Sequence, residues 1–267
     1  MTKTGPSDGD SLRGRHAVVT GASRGIGASI ASALARRGAD VTLMSRDQTR
    51  LGQQVAKLTK SFDSKIQAVA VDIAQPERIS AAFARAADRF GPPHILVNNA
   101  GAATAAPIAK TDLAMWQSML AINLTGAFLC IGAVVSQMAK GDYGRIVNIA
   151  STAGLTGYAY VTAYCAAKHG LIGLTRALAR ELAQSGVTAN AVCPGYTDTD
   201  IVAEAIGNIT TKTGRSPEQA LRDLIAHNPQ RRLIHPDEVA ETVGWLCLPS
   251  SGSITGQSIV VAGGELM

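Results

Sequence analysis

HAVVT (16–20) runs into GASRGIG (21–27) and then into the apolar-periodic stretch ASIASALARR (28–37), and this passage decides the fold. A short β-branched run that passes through a glycine-rich turn into a helical pattern is a strand-turn-helix unit. Gly21 permits a sharp exit from the strand, Gly25 lets backbone approach a phosphate without a Cβ in the way, and Gly27 lets the helix pack closely on the sheet. Between them Ser23, Arg24 and Ile26 complete a turn whose helix start offers unpaired N–H groups and partial positive charge to an anion. An ordinary glycine-rich β-α turn would show part of this pattern, so the rest of the chain has to carry the argument.

Outward from this unit, six more short apolar runs follow: DVTLM (40–44), IQAVAV (66–71), HILV (94–97), RIVNIA (145–150), VTANAVC (187–193) and SIVVA (258–262). Helical patterns separate them at 25–37, 47–60, 76–90, 112–140, 162–185 and 236–247, each long enough for a right-handed crossover. The alternation predicts an α/β fold: a doubly wound, seven-stranded parallel sheet with helices on both faces, in a single domain. Aromatic residues are only 4% of the chain, so Ala, Val, Ile and Leu must fill the core, as sheets covered on both faces require. Residues 1–12, polar and rich in Gly, Ser and Asp, read as a flexible tail before a domain over 13–267, with order beginning near Arg15. Within 196–235 two short helical patterns (201–207 and 217–227) interrupt the alternation just after a strand, where an insertion would overlie the ligand-binding end of the sheet as a lid.

The formal charge of +5 is spread among acidic residues without a basic run, which argues against a nucleic-acid partner. Four cysteines (Cys130, Cys165, Cys193, Cys247) stand far apart with no histidine cluster, so neither a metal site nor a disulfide framework is expected. No basic segment with an apolar stretch opens the sequence, and no apolar run approaches ~18 residues before Gly, Asn or a charge intervenes. A soluble, cytoplasmic protein is the expectation.

Thr20 with the G-x3-G-x-G spacing resembles the short-chain dehydrogenase/reductase family, and the likeness extends over nearly the whole chain: Asn98-Asn99-Ala100-Gly101 after strand four, Pro194-Gly195 after strand six, Asp72 after strand three. The resemblance implies a nicotinamide-dependent oxidoreductase that moves a hydride between its cofactor and a carbonyl or secondary alcohol. It also implies that Asp72 and Ile73 contact adenine, that Asn98 and Ala100 border the adenine-side ribose, and that Thr197 and Thr199 hold the carboxamide. The family's catalytic tetrad falls on Asn123, Ser151, Tyr164 and Lys168, with Asn123 helping to hold a water that relays protons to the lysine.

The residues support that assignment on their own chemistry. Tyr164 and Lys168 stand one helical turn apart on one side of a helix and can act on one substrate atom. Proton transfer near pH 7 asks a tyrosine of reference pKa ~10 to drop by roughly 3 units, about 4 kcal/mol. An ammonium about 4 Å away supplies about that much at an effective dielectric of ~20. Ser151, twelve residues before Tyr164, ends strand five beside the same crevice and can donate to the substrate oxygen. Taken singly, each has an ordinary reading: a loop hydroxyl, a helix-start aromatic, a solvated lysine, a turn-forming asparagine. Cys165 and His169 point away from the Tyr/Lys line and read as packing residues.

Strand two ends Leu43-Met44-Ser45-Arg46, and Ser45 and Arg46 suit the 2′-phosphate of NADP(H), with Arg24 as a second cation. The alternative is NAD(H), with Asp47 turned inward to the ribose. GRIVNIASTAG (144–154) and VTANAVCPG (187–195) are similar to β-ketoacyl carrier-protein reductases and polyketide ketoreductases, with hydroxyacyl-CoA dehydrogenases close by, so a 3-oxoacyl or 3-hydroxyacyl thioester or polyketide-like ketone is the expected substrate. Arg231 and Arg232 could meet CoA or carrier-protein phosphates, or be solvated surface arginines. Small free ketones, sugars and steroid alcohols are the alternative substrates, and a dinucleotide-sensing regulator the non-enzymatic one. Helices 112–140 and 162–185 carry more apolar positions than one face can bury, which with the resemblance implies a homotetramer; Val261-Ala262-Gly263-Gly264, where relatives carry Asp-Gly-Gly, leaves its geometry open.

Overall fold

The computed structural model describes residues 10–266. Seven strands form one parallel sheet in the order β3-β2-β1-β4-β5-β6-β7: β1 His16–Thr20, β2 Asp40–Ser45, β3 Ile66–Ala70, β4 Ile95–Asn98, β5 Gly144–Ile149, β6 Val187–Pro194 and β7 Ser258–Val261. All seven expected strands form, each within a residue or so of its sequence limits. Strand order reverses between β1 and β4, and this switch point opens a crevice at the carboxyl ends of the strands.

The alternating side chains of β1 divide the core. Ala17 and Val19 face a layer built with α1 (Gly25–Arg36), α2 (Gln48–Ser61) and α9 (Pro236–Leu246). Val18 faces the other layer, with α3 (Pro76–Phe90), α5 (Gly126–Met138) and α6 (Thr162–Glu181). Both faces are covered, which is why the strands read as continuous apolar runs.

Three expectations need correction. Leu12, assigned to the tail, is fully buried in the first layer, and its N–H donates to Arg37 O at 2.8 Å; a lone leucine among polar residues gives no periodic signal. Residues 1–9 of that tail lie outside the described residues. The single helix expected over 112–140 is α4 (Leu113–Leu120), a π-helical turn (Ala121–Thr125) and α5. By length and composition Leu113–Met138 could cross a membrane, contrary to the sequence reading, but it packs against β4, α3 and α6. In the 196–235 segment, α7 (Asp200–Thr213) runs six residues beyond its expected end: the helix passes through Gly207, whose carbonyl accepts from the Thr210 and Thr211 hydroxyls, and stops at a left-handed Gly214. α8 (Pro217–Ile225) is closed by a Ser216–Gln219 capping box. The segment's ends meet at a bridge between Thr197 and Ile234, and Val202 and Ala220 are the buried residues of its two helices.

Leu12→Ala should lower unfolding stability by ~2 to 5 kcal/mol, the range for emptying a leucine site in a packed core. Urea denaturation checks this; a change below ~0.5 kcal/mol would show that residues 10–14 are not part of the folded unit.

Candidate active site

The glycine turn and the end of β4 are locked together by Thr20 and Asn99. The Thr20 hydroxyl accepts from the N–H groups of Asn99 (3.0 Å) and Ala100 (3.1 Å), while Asn99 Nδ2 donates to the carbonyls of Thr20 (2.9 Å) and Gly21 (3.2 Å). A Cβ on Gly27 would lie 2.3 Å from Gly21 O and 2.4 Å from Asn99 Nδ2, so only glycine admits this closure. Ser23 lies half-buried in the turn and Ile26 packs against the core below it. Asn99 was not singled out from the sequence; its position beside Asn98 in the N-N-A-G run was the available signal.

The Asn98 side chain turns inward rather than toward the crevice. It donates to Asn148 Oδ1 (2.9 Å), and Asn148 in turn to Thr175 (2.9 Å), so Asn98 ties β4 to β5 and α6. Ile73 is likewise buried, in contact distance of Gly126, which leaves backbone as its means of touching a ligand. Asp72 is partly exposed, accepts from Ala74 N (3.0 Å) and stands 4.0 Å from Arg46.

At the end of β2, Ser45 Oγ accepts from Asp47 N (3.2 Å) and Asp47 caps α2 by accepting from Arg50 N (2.9 Å). Asp47 is therefore committed to the helix start and does not turn inward, while Arg46 is 71% exposed. Arg24 pairs with Asp200 at the start of α7, and Arg50 reaches the same carboxylate at 3.5 Å. Arg50 is a further cation at this edge that the sequence reading passed over. Thr199 stands against Gly25, and Thr197 Oγ1 donates to Gly195 O (3.0 Å) just after Pro194, so the strand-six loop lies over the glycine turn.

The four tetrad residues meet at the neighbouring strand ends. Asn123 Nδ2 donates to Met119 O (3.0 Å), taking the carbonyl that an α-helix would give to its own backbone, and to Ala102 O (2.9 Å). This side-chain competition produces the π turn and pins the loop after β4. Gly101 fills the gap between Asn123 and Lys168: a Cβ there would lie 2.7 Å from Asn123 Oδ1 and 3.6 Å from Lys168 Nζ. Lys168 is buried, donates to Ile149 O (2.8 Å) and lies 5.5 Å from the Tyr164 ring centre. Tyr164 stands close enough to Ser151 to feel its hydroxyl, which accepts from Ala153 N (3.1 Å). His169 is exposed and bonds back to Cys165 O, so it is not the packing residue expected.

The electrostatics run opposite to the sequence expectation. Burial pushes the Tyr164 phenol up to about 12, against a smaller lowering by Ser151, and burial pushes Lys168 down to about 8. Lys168 sits over the ring and on a carbonyl, and desolvation is the largest influence on both groups. The chain alone therefore holds a neutral phenol.

Tyr158, Tyr196 and Glu265 close the opposite wall, another feature absent from the sequence reading. The Tyr158 phenol donates to Glu265, lies 2.9 Å from the Thr152 hydroxyl and meets Tyr196 edge to face at 6.4 Å. Arg232 forms a two-armed pair with Glu238 (2.6 and 2.7 Å), which holds that carboxyl at about 2, and Arg231 donates to Ala226 O; both are exposed surface arginines, and Arg232 is paired instead of standing free for phosphate.

This is the geometry of a hydride-transfer site at the switch point of a doubly wound sheet. A family model described as enoyl-(acyl carrier protein) reductase matches residues 21–265, and the chain belongs to the short-chain dehydrogenase/reductase family. It is an oxidoreductase acting on a carbonyl or secondary alcohol. It is 37% identical over 256 residues to a 3-oxoacyl-[acyl-carrier-protein] reductase of Vibrio cholerae, covering 96% of this chain and 99% of that one. It is 36% identical over 253 residues to a D-β-hydroxybutyrate dehydrogenase of Rhizobium meliloti, covering 93% and 97%. A crystal structure of an actinorhodin polyketide ketoreductase with NADPH superimposes with a TM-score of 0.90 at 36% identity, covering 94% and 97%.

Lys168 carries a stability consequence. Its folded pKa of about 8 lies below the ordinary 10.5, so the unfolded chain binds more protons between those values and stability rises with pH across that window. Lys168→Met should remove this rise and stabilise the cofactor-free protein at pH 7 by ~1 to 3 kcal/mol while abolishing turnover. Denaturant titrations at pH 7, 8 and 9.5 read the slope; equal slopes in parent and variant would contradict the buried ammonium.

Proposed function

We propose that this protein reduces a 3-oxoacyl thioester or polyketide-like ketone to the alcohol with NADPH, using Asn123, Ser151, Tyr164 and Lys168 as its catalytic set. The observation that carries this reading is a protonated Tyr164 phenol, partly exposed to the crevice and within reach of Ser151, with its ring against a buried Lys168 that donates to Ile149 O. Reduction requires a proton at the carbonyl oxygen, and a phenol that stays protonated at neutral pH is in the correct state to give it.

A nicotinamide dinucleotide held in this groove would supply the hydride for the carbonyl carbon, and the remaining roles fall to the chain's own residues. Ser151 and Tyr164 donate hydrogen bonds to the carbonyl oxygen, Tyr164 transfers its proton as negative charge develops there, and Lys168 restores it through the water that Asn123 helps to hold. Gly21, Ser23, Gly25, Ile26, Gly27, Ala100 and Gly101 shape the dinucleotide groove; Pro194, Gly195, Thr197 and Thr199 hold its nicotinamide end. Ser45 and Arg46 receive the 2′-phosphate with Arg24 and Arg50 close by, and the commitment of Asp47 to its helix supports NADP(H) over NAD(H).

Residues 196–235 serve as the substrate lid. Exposed Ile108, Leu113, Trp116 and Phe128, on and before the α4–α5 helix, support assembly with further copies as a homotetramer. Four free cysteines fit a reducing, cytoplasmic setting.

Purified protein should oxidise NADPH in the presence of acetoacetyl-CoA or a longer 3-oxoacyl thioester, and Tyr164→Phe should lower kcat by at least about a thousandfold, the scale of a lost proton donor plus a lost hydrogen bond. NADPH should exceed NADH by at least tenfold in kcat/KM, and Arg46→Asp should erode that ratio. Turnover of a free ketone, sugar or steroid without thioester activity would replace the substrate assignment, and Tyr164→Phe activity within tenfold of the parent would remove the catalytic one.

A further inference from the structure

The wall formed by Tyr158, Tyr196 and Glu265 holds an acidic group where a substrate must pass. Glu265 comes from the end of the chain, just past β7, and reaches back over the strand-six loop: a Cβ on Gly195 would lie 2.8 Å from Glu265 Oε2. Its carboxylate is only partly exposed and takes its hydrogen bond from Tyr158. Among the described residues no lysine, arginine or histidine pairs with it, although the other salt bridges of the chain engage ten carboxylate contacts elsewhere.

The cluster is coupled to the reacting centre through two routes. Tyr158 lies 2.9 Å from Thr152, the residue after Ser151. Tyr196 packs edge to face on Tyr158 and lies within electrostatic reach of Tyr164 and Glu265. The charge therefore borders the space between Ser151, Tyr164 and the strand-six loop; Lys168, the cation of this set, lies buried on Ile149 O against the Tyr164 ring and forms no ion pair with Glu265.

We propose that Glu265 is a specificity-determining charge that excludes free keto and hydroxy acids and admits neutral acyl substrates, such as thioesters and esters, to the same reaction. The proposal rests on the carbonyl-reducing role of this site. A free carboxylate two or three bonds from the reacting carbonyl would be held close to Glu265. At ~8 Å and an effective dielectric of ~20, two like charges separate the affinities of an anion and its neutral ester by more than tenfold. Tyr158 holds the carboxylate in place, so it acts as the positioning residue.

The test compares acetoacetate with methyl acetoacetate, which differ in charge at one end and share the reacting ketone. Glu265→Gln removes the charge and keeps an oxygen that accepts from Tyr158. In the full-length enzyme with NADPH, the ester-to-anion ratio of kcat/KM should exceed ten for the parent and fall at least fivefold in Glu265→Gln, with the parent ratio also falling as KCl is raised from 20 to ~500 mM. A smaller fall in Glu265→Gln overturns the proposal. Should the parent turn over neither compound, acetoacetyl-CoA decides whether the functional reading is at fault, and binding of both compounds to the enzyme–NADPH complex, read by quenching of NADPH fluorescence, gives the same ratio without chemistry. There too an ester-to-anion ratio of affinities that falls less than fivefold on substitution overturns the filter.

Discussion

A single side-chain amide organises this site. Asn123 takes the Met119 carbonyl away from the helix ladder, and the helix answers with a π turn. The same amide nitrogen and its oxygen clasp Ala102, drawing the loop after β4 down onto the helix. Gly101 then has room only for a hydrogen at its Cα, with Asn123 on one side and Lys168 on the other. Lys168 is thereby boxed in and hydrogen-bonded to the end of β5, one turn from Tyr164. A substitution that restored a regular helix at Asn123 would release the β4 loop, and with it the wall that keeps Lys168 dry.

The dryness has a chemical purpose. A lysine in water would stay charged and give little direction to a tyrosine beside it. Buried, it is pushed toward neutrality, while the tyrosine is pushed toward its protonated form. The site alone favours a neutral phenol, which is the state that reduction uses. Oxidation of an alcohol needs the phenolate, and the positive charge of an oxidised nicotinamide is the additional group that would stabilise it.

The strands, the sheet order and the crevice were legible because they rest on short continuous apolar runs and on glycines at fixed spacing, signals local to the sequence. Tyr164, Lys168, Ser151 and Asn123 were legible by their spacing and their resemblance to a known family. What escaped depends on side-chain contacts that apolar periodicity does not encode. Periodicity over 112–140 carries no mark of a side chain competing for a backbone carbonyl. Leu12 is buried by Arg37 and its neighbours, which a window of polar residues does not show. Arg232 looked free because its partner Glu238 becomes its neighbour only when α9 starts, and Glu265 meets Tyr158 across 107 residues of sequence. The direction of the Tyr164 shift was missed for a related reason: one-turn spacing suggests an attraction to Lys168, while the desolvation that raises the phenol comes from the whole fold.

The central claim is that the folded chain keeps Tyr164 protonated until an oxidised nicotinamide joins it. The direct measurement is the ultraviolet difference absorbance of tyrosinate, parent minus Tyr164→Phe, titrated from pH 6 to 11 with and without saturating NADP+. The account predicts no Tyr164 ionisation below pH 10 in the free protein and a titration at least two pH units lower in the complex. A Tyr164 that ionises near pH 7 without cofactor, or one that titrates identically in both states, would contradict it.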